Sequence, residues 1–285
     1  GVRRSPDVLS PHFEWLCQNA DGIRSEAESC RRKRRGVAPH HGRQPAKVSR
    51  FRSETLQEGI GTYHFGMAVF RHVTHVIYDL DGLLLDTEPF YTEVTQTIVS
   101  RYGHTFDWTV KSRMIGKKAS ESARILVDAL KLPITPEDYL QEREVLLAEL
   151  FPKAQPMPGA QRLTGLLARS GIPQAVASSS RQKEFRPKTA QHGPWFAMFE
   201  CIVLGDDPEV RRGKPAPDIF LVAAARLGAA PGQCLVLEDA PCGVELARPA
   251  GMSVVAVPNP VMSPDAYSAA DQILPSLGSF EPSAW

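Results

Sequence analysis

Short apolar runs recur along this chain with helical patterns between them, and that alternation constrains its fold more than any other feature. The runs are Val73–Leu80, Pro173–Ser178, Cys201–Leu204, Cys234–Leu237 and Ser253–Val257. Each has the length of a buried strand rather than of a helix. Pro217–Leu227 and Gly243–Ala250 carry helical patterns between them. Strands alternating with helices predict an α/β fold: a Rossmann-like parallel sheet with right-handed crossovers.

One interval breaks the alternation. From about residue 88 to 156 the pattern is helical throughout. Thr92–Tyr102 places Val94, Ile98 and Tyr102 on one stripe, and Ser120–Leu130 repeats that spacing. The helix predicted over Pro136–Phe151 has Thr135 as N-cap, Pro136 in its first position, and Glu137 and Asp138 in its positive first turn. An insertion after the first strand lies beside the carboxyl ends of the strands, where such sheets bind ligands. It is therefore placed as a lid. The expected domains are a core of residues 71–87 and 157–285, and a helical-bundle cap of residues 88–156.

Residues 1–70 differ in kind. They contain Arg31-Arg32-Lys33-Arg34-Arg35, His40-His41 and no sustained periodicity. A segment so poor in apolar residues cannot offset its chain entropy, which predicts a disordered basic extension. The basic run reads as a solvated tail or as a nuclear-localisation or nucleic-acid patch. Cys17, Cys30, His40 and His41 lack the paired spacing of a zinc site.

Over the whole chain 33 Lys and Arg balance 32 Asp and Glu, for a formal charge of +1, which does not point to a nucleic-acid partner. Five irregularly spaced cysteines suit a reducing compartment. No apolar run has the roughly 18–20 residues that span a membrane. The expectation is a cytoplasmic monomer with no membrane partner.

Four features at strand ends carry chemistry. Asp79-Leu80-Asp81-Gly82 offers two carboxylates, which covalent phosphoryl transfer needs for two jobs. Asp79 can attack phosphorus in line. Asp81 can protonate the departing oxygen and later accept a proton from water. Asp-Gly is also a common turn pair. In Val176-Ala177-Ser178-Ser179-Ser180, hydroxyls and backbone N–H groups can cradle an anion, with Ser178 and Ser179 as phosphate ligands; a polar loop has the same composition. In Gly213-Lys214-Pro215-Ala216-Pro217, glycine and prolines frame one lysine, which can neutralise phosphate and keep Asp79 ionised. Leu235-Val236-Leu237-Glu238-Asp239 ends an apolar strand on two acids, a costly place for charge without a cation. Mg²⁺ suits them. Its expected ligands are Asp79, the Asp81 backbone carbonyl and Asp239, with Glu238 as a further ligand or as a residue that orients them.

The set Asp79-Leu80-Asp81-Gly82, Ser178, Lys214 and Glu238-Asp239 resembles the four motifs of the haloacid dehalogenase superfamily, and the helical insertion resembles its helical-cap subgroup. Asp81–Glu88, Gly116-Lys117-Lys118, Val203–Val210 and Glu238–Pro241 further resemble the pseudouridine-5'-phosphatases of vertebrates. The resemblance runs from about Val73 to the C-terminus. It implies a Mg²⁺-dependent phosphatase acting on a small phosphate monoester through an aspartyl-phosphate, with pseudouridine 5'-phosphate as substrate. It also implies that a cap loop reaches over the leaving group, which makes Lys117 and Lys118 candidate substrate contacts. The alternatives are a phosphosugar phosphatase or mutase and, outside enzymes, a nucleic-acid-binding or scaffold pseudo-phosphatase using the basic tail. Pro187, Gly193-Pro194 and Pro249 fall where the superfamily is usually helical, and they put local stability in question.

Overall fold

In the computed structural model, residues 73–115, 119–214 and 216–282 are described. The expected basic extension and Lys117 and Lys118 lie outside them.

Six parallel strands form the central sheet in the order β5-β4-β1-β6-β7-β8. They are β1 (His75–Tyr78), β4 (Gln174–Ser178), β5 (Cys201–Leu204), β6 (Cys234–Glu238), β7 (Ser253–Ala256) and β8 (Gln272–Ile273). The α/β expectation holds. The first strand, His75–Tyr78, is shorter than its apolar run at both ends, although the Asp79 N–H still bonds the Leu237 carbonyl at 3.1 Å and Asp79 and Leu80 stay buried. The final strand, β8, has only two residues and had no pattern to betray it.

Alternation explains the two layers around the sheet. Val76 and Tyr78 pack into one apolar cluster with Leu235 and Leu237. Ile77 packs into the other with Val236, Val254 and Phe220. Both faces of β1 are buried, as a central parallel strand requires. β1 pairs with β4 on one side and with β6 on the other, so the strand order reverses at β1. A crevice opens at the carboxyl ends of strands beside such a reversal.

The helical interval leaves and re-enters the core through a narrow ribbon. β2 (Leu85–Asp86) and β3 (Gln155–Pro156) pair antiparallel, Leu85 opposite Pro156 and Asp86 opposite Gln155. Between them lie α1 (Glu88–Ser100), α2 (Trp108–Met114), α3 (Ala119–Leu130) and α4 (Pro136–Leu150). These helices pack around their own apolar cluster, which includes Val94, Ile98, Leu126, Tyr139 and Leu147. The start of α4 is the predicted one: Thr135 Oγ1 accepts the Asp138 N–H at 3.1 Å, and Asp138 Oδ2 accepts the Thr135 N–H at 3.1 Å.

Behind the insertion come α5 (Ala160–Arg169), α6 (Gln182–Thr189), α7 (Gly193–Phe196), α8 (Asp218–Leu227) and α9 (Pro241–Ala247). The prolines find different solutions. α9 begins at Pro241 rather than at Gly243 and ends before Pro249, which sits in the following turn and costs the helix nothing. Pro187 lies inside α6, two residues before that helix ends. Pro194 stands in the first turn of α7, where its missing N–H is not needed. Among the described residues, no helix is long and apolar enough to cross a membrane.

Candidate active site

The crevice at the carboxyl ends of β1, β4 and β6 gathers the side chains singled out in the sequence. Asp79 and Asp81 follow β1, Ser178 ends β4, Glu238 ends β6, and Asp239 is the next residue. Lys214 arrives from the loop before α8. All six line one cavity of about 800 Å³, together with Ser179 and residues of α1, α2 and α4.

Lys214 organises the centre. Its Nζ lies 2.8 Å from Asp79 Oδ1 and also meets Glu238 Oε1. The second Glu238 oxygen accepts the Ala240 N–H at 3.0 Å, so both its oxygens are engaged. Glu238 is fully buried beneath Gly243 in the first turn of α9; a Cβ on that glycine would fall on its carboxylate. Gly82 plays the same part for Asp239. Its φ of +83° favours glycine, and a Cβ there would fall on Asp239 Oδ2. Tyr267 Oη donates to the Asp239 carbonyl at 2.7 Å and holds the backbone at this point.

Two acids flanking one hydrophobic residue thus have different surroundings. Burial drives Asp79 up to about 7; Lys214 opposes this, while Glu238 and Asp81 add to it. Asp239 is pushed well above the ordinary carboxylate range by burial and then by the charges of Glu238 and Asp79. Asp81 goes the other way. Burial disfavours its charge, but Lys188 and three hydrogen bonds outweigh burial and hold it low. Those bonds come from Lys188 Nζ and Thr87 Oγ1 to Oδ1 and from Ser180 Oγ to Oδ2, each at 2.7 Å.

A divalent cation fits this set. Ligand atoms of Asp79, Glu238 and Asp239 lie within 4.8 Å of one another. One lysine serves two of these carboxylates, and among the described residues no ion pair holds the third. Excess negative charge and all-oxygen donors suit a hard divalent cation. Asp79 and Asp239 are the better donors, since Glu238 is already bonded through both oxygens.

Ser178 Oγ is buried and accepts the Ser180 N–H at 3.1 Å, while Ser179 is exposed to the cavity. Three residues escaped the sequence reading. Thr87 and Ser180 hold Asp81, and Lys188 is 1% exposed with its ammonium shared among Asp81, Ser180 and Tyr91. Lys188 carried no visible signal. In Gln182-Lys183-Glu184-Phe185-Arg186-Pro187-Lys188 it looks like one more solvated cation. In the fold its Nζ lies 4.4 Å from the Phe151 ring centroid and reaches Asp81 and Ser180, contacts that sequence neighbours do not announce.

Residues 76–257 match the haloacid dehalogenase-like hydrolase family. The chain is 47% identical over 218 residues to (DL)-glycerol-3-phosphatase 1, mitochondrial, of Arabidopsis thaliana, covering 75% of this chain and 73% of that protein. It is 45% identical over 217 residues to a protein of Drosophila melanogaster named "Probable pseudouridine-5'-phosphatase", covering 75% of this chain and 94% of that one. The crystal structure of a HAD hydrolase, family IA, variant 3, from Entamoeba histolytica shares the fold, with a TM-score of 0.63 at 22% identity over 74% of this chain and 97% of that one. With the parallel sheet and the carboxylate-lined crevice at its strand reversal, these matches place the chain in the haloacid dehalogenase-like hydrolase family, as one of its phosphatases.

Proposed function

We propose that this chain is a magnesium-dependent phosphatase that hydrolyses pseudouridine 5'-phosphate, with Asp79 as nucleophile. The observation that carries the reading is the geometry of Asp79: a buried carboxylate at a strand end, bonded to Lys214 and facing a cavity large enough for a nucleotide.

In the first half of the reaction a carboxylate oxygen of Asp79 bonds to phosphorus and the ester P–O bond breaks. Asp81, held as a carboxylate before substrate binds, first takes up a proton from solvent and then gives it to the departing oxygen. In the second half Asp81 takes a proton from water, whose oxygen bonds to phosphorus while the Asp79–phosphorus bond breaks. Alcohol and inorganic phosphate are the products, and both carboxyls return to their starting forms once Asp81 releases that proton to solvent. Asp81 gives up part of its Lys188, Thr87 and Ser180 contacts when protonated and regains them as carboxylate. Lys214 and Ser178, with Ser179 and the N–H groups after β4, receive the phosphate oxygens. Magnesium held by Asp79, the Asp81 backbone carbonyl and Asp239 would supply positive charge against the phosphate; Glu238 then serves to fix Lys214. Residues 88–156 act as a cap that excludes water, and Lys117 and Lys118 remain candidate contacts within it.

Two observations bear on the substrate. Trp108 and Phe106 line the helical side of the cavity, and Trp108 is 44% exposed, so an aromatic face is free to stack on a base. The relative named as a glycerol-3-phosphatase, at 47% identity, favours a second reading in which a small polyol phosphate is the substrate. The reading further takes the protein to act as a monomer in the cytoplasm, which cell fractionation and light scattering check.

Asp79→Asn is expected to abolish phosphate release at saturating magnesium; retention of about a tenth of the activity removes Asp79 as nucleophile. A panel of nucleotide, polyol and hexose monophosphates decides the substrate. A higher kcat/KM for glycerol 3-phosphate than for pseudouridine 5'-phosphate would overturn the narrow assignment and leave the phosphatase standing.

A further inference from the structure

The cations that line the cavity are nearly all committed. Lys214 belongs to Asp79 and Glu238. Lys111 donates to Thr92 Oγ1 at 2.7 Å and lies 3.6 Å from Glu88. Lys183 is taken by Glu144, and Arg181 lies 3.5 Å from Glu184. Arg143, on α4, is the exception among the described residues: neither a hydrogen bond nor an ion pair holds its guanidinium.

That lack of a partner is built in. The guanidinium carbon lies 5.8 Å from the Tyr91 ring centroid and 5.6 Å from that of Tyr139. Two aromatic faces thus support it without using any of its N–H donors. The neighbouring acid, Glu144, is drawn off by Lys183 from α6. Nε is buried and unsatisfied. A buried donor without an acceptor is costly and calls for a physical account. Since Arg143 lines the cavity that also contains Asp79, an acceptor on a bound ligand supplies one.

We propose that Arg143 recognises the leaving-group part of the substrate, donating its planar fork to hydroxyl or carbonyl oxygens of the esterified alcohol. This inference rests on the phosphatase reading and deepens it. The phosphoryl group is provided for at the strand ends, where Lys214, Ser178 and the metal ligands converge. Arg143 stands apart from these on the helical side of the cavity, where the remainder of a monoester projects. The substrate class that follows is a phosphate monoester whose alcohol carries further oxygen acceptors, as a polyol or a nucleoside does. An arginine fork reads such acceptors in pairs.

The test compares leaving groups with and without acceptors. Arg143→Met is expected to raise KM about tenfold for glycerol 3-phosphate and for pseudouridine 5'-phosphate. It should leave kcat and KM for phenyl phosphate, whose alcohol has no further oxygen, within about twofold. Equal weakening of all three esters would overturn the proposal, since Arg143 would then act on the phosphate or on the fold. Unchanged constants for all three would overturn it as well. Arg143→Lys, which keeps the charge but loses the fork, carries the same comparison should the methionine variant fail to melt cooperatively. A wild-type protein that releases phosphate from none of the esters defeats the phosphatase reading itself, and the inference falls with it.

Discussion

At the scale of single residues, the site is defined by what stands next to each acid. Asp79 and Asp81 are two positions apart, yet burial and neighbouring carboxylates raise one while Lys188 and its companions lower the other. Glycines make these placements possible. Gly243 lies in a helix, where alanine ordinarily stabilises by about 1 kcal/mol. Here the new methyl would fall on the Glu238 carboxylate that holds Lys214. Gly243→Ala is therefore expected to destabilise the protein by about 1–3 kcal/mol in urea denaturation, as overpacking does, and to lower kcat through Lys214. The motif residues themselves were legible, because phosphate chemistry needs those types at strand ends. Lys188 was not, because a lysine's burial depends on what its helix packs against.

At the scale of elements, local signals served best where local physics decides. Thr135, Pro136 and Asp138 announce the start of α4, and the reciprocal bonds between Thr135 and Asp138 are present. Thr135→Ala removes the side-chain acceptor and is expected to cost about 1 kcal/mol in urea denaturation. The cap lies on the outer end of α4, so kcat for phenyl phosphate should stay unchanged. Elsewhere boundaries moved. Leu80 is apolar and fully buried but leaves the ladder. α9 stops short of Pro249 because a proline cannot donate the helical bond. The two-residue strands β2 and β3, through which the insertion is attached, have no periodicity to read; they exist because residues about 70 positions apart meet.

At the scale of the whole molecule, the crevice concentrates more negative charge than its own cations balance. Asp79 titrates at about 7 in the folded chain, against 3.8 for an ordinary aspartate. Across that window the folded state binds a proton that the unfolded state does not. This contribution to stability is full below about pH 4 and is lost as pH rises towards 7. Burial shifts Asp239 in the same direction. With metal removed by chelation, thermal stability should therefore fall between about pH 5 and pH 8, after allowance for the rest of the chain. If these carboxylates hold magnesium as proposed, the ion binds their ionised forms and should raise the melting temperature more at about pH 8 than at about pH 5.5. Scanning calorimetry with and without magnesium checks both; an equal metal effect at the two pH values would mean that these carboxyls do not titrate as a metal site.

The sequence by itself determined the α/β class and the place of the helical insertion, and it singled out Asp79, Asp81, Ser178, Lys214, Glu238 and Asp239, which meet in one cavity. These follow from periodicity, chain punctuation and side-chain chemistry, all of which are local. The tertiary structure decided which donors hold Asp81, which partners occupy the two oxygens of Glu238 and which cavity arginine lacks a partner. Those outcomes depend on contacts between residues up to 107 positions apart, as between Asp81 and Lys188. Burial, and with it the strength and direction of every charge effect at the site, is set by such contacts rather than by sequence neighbours.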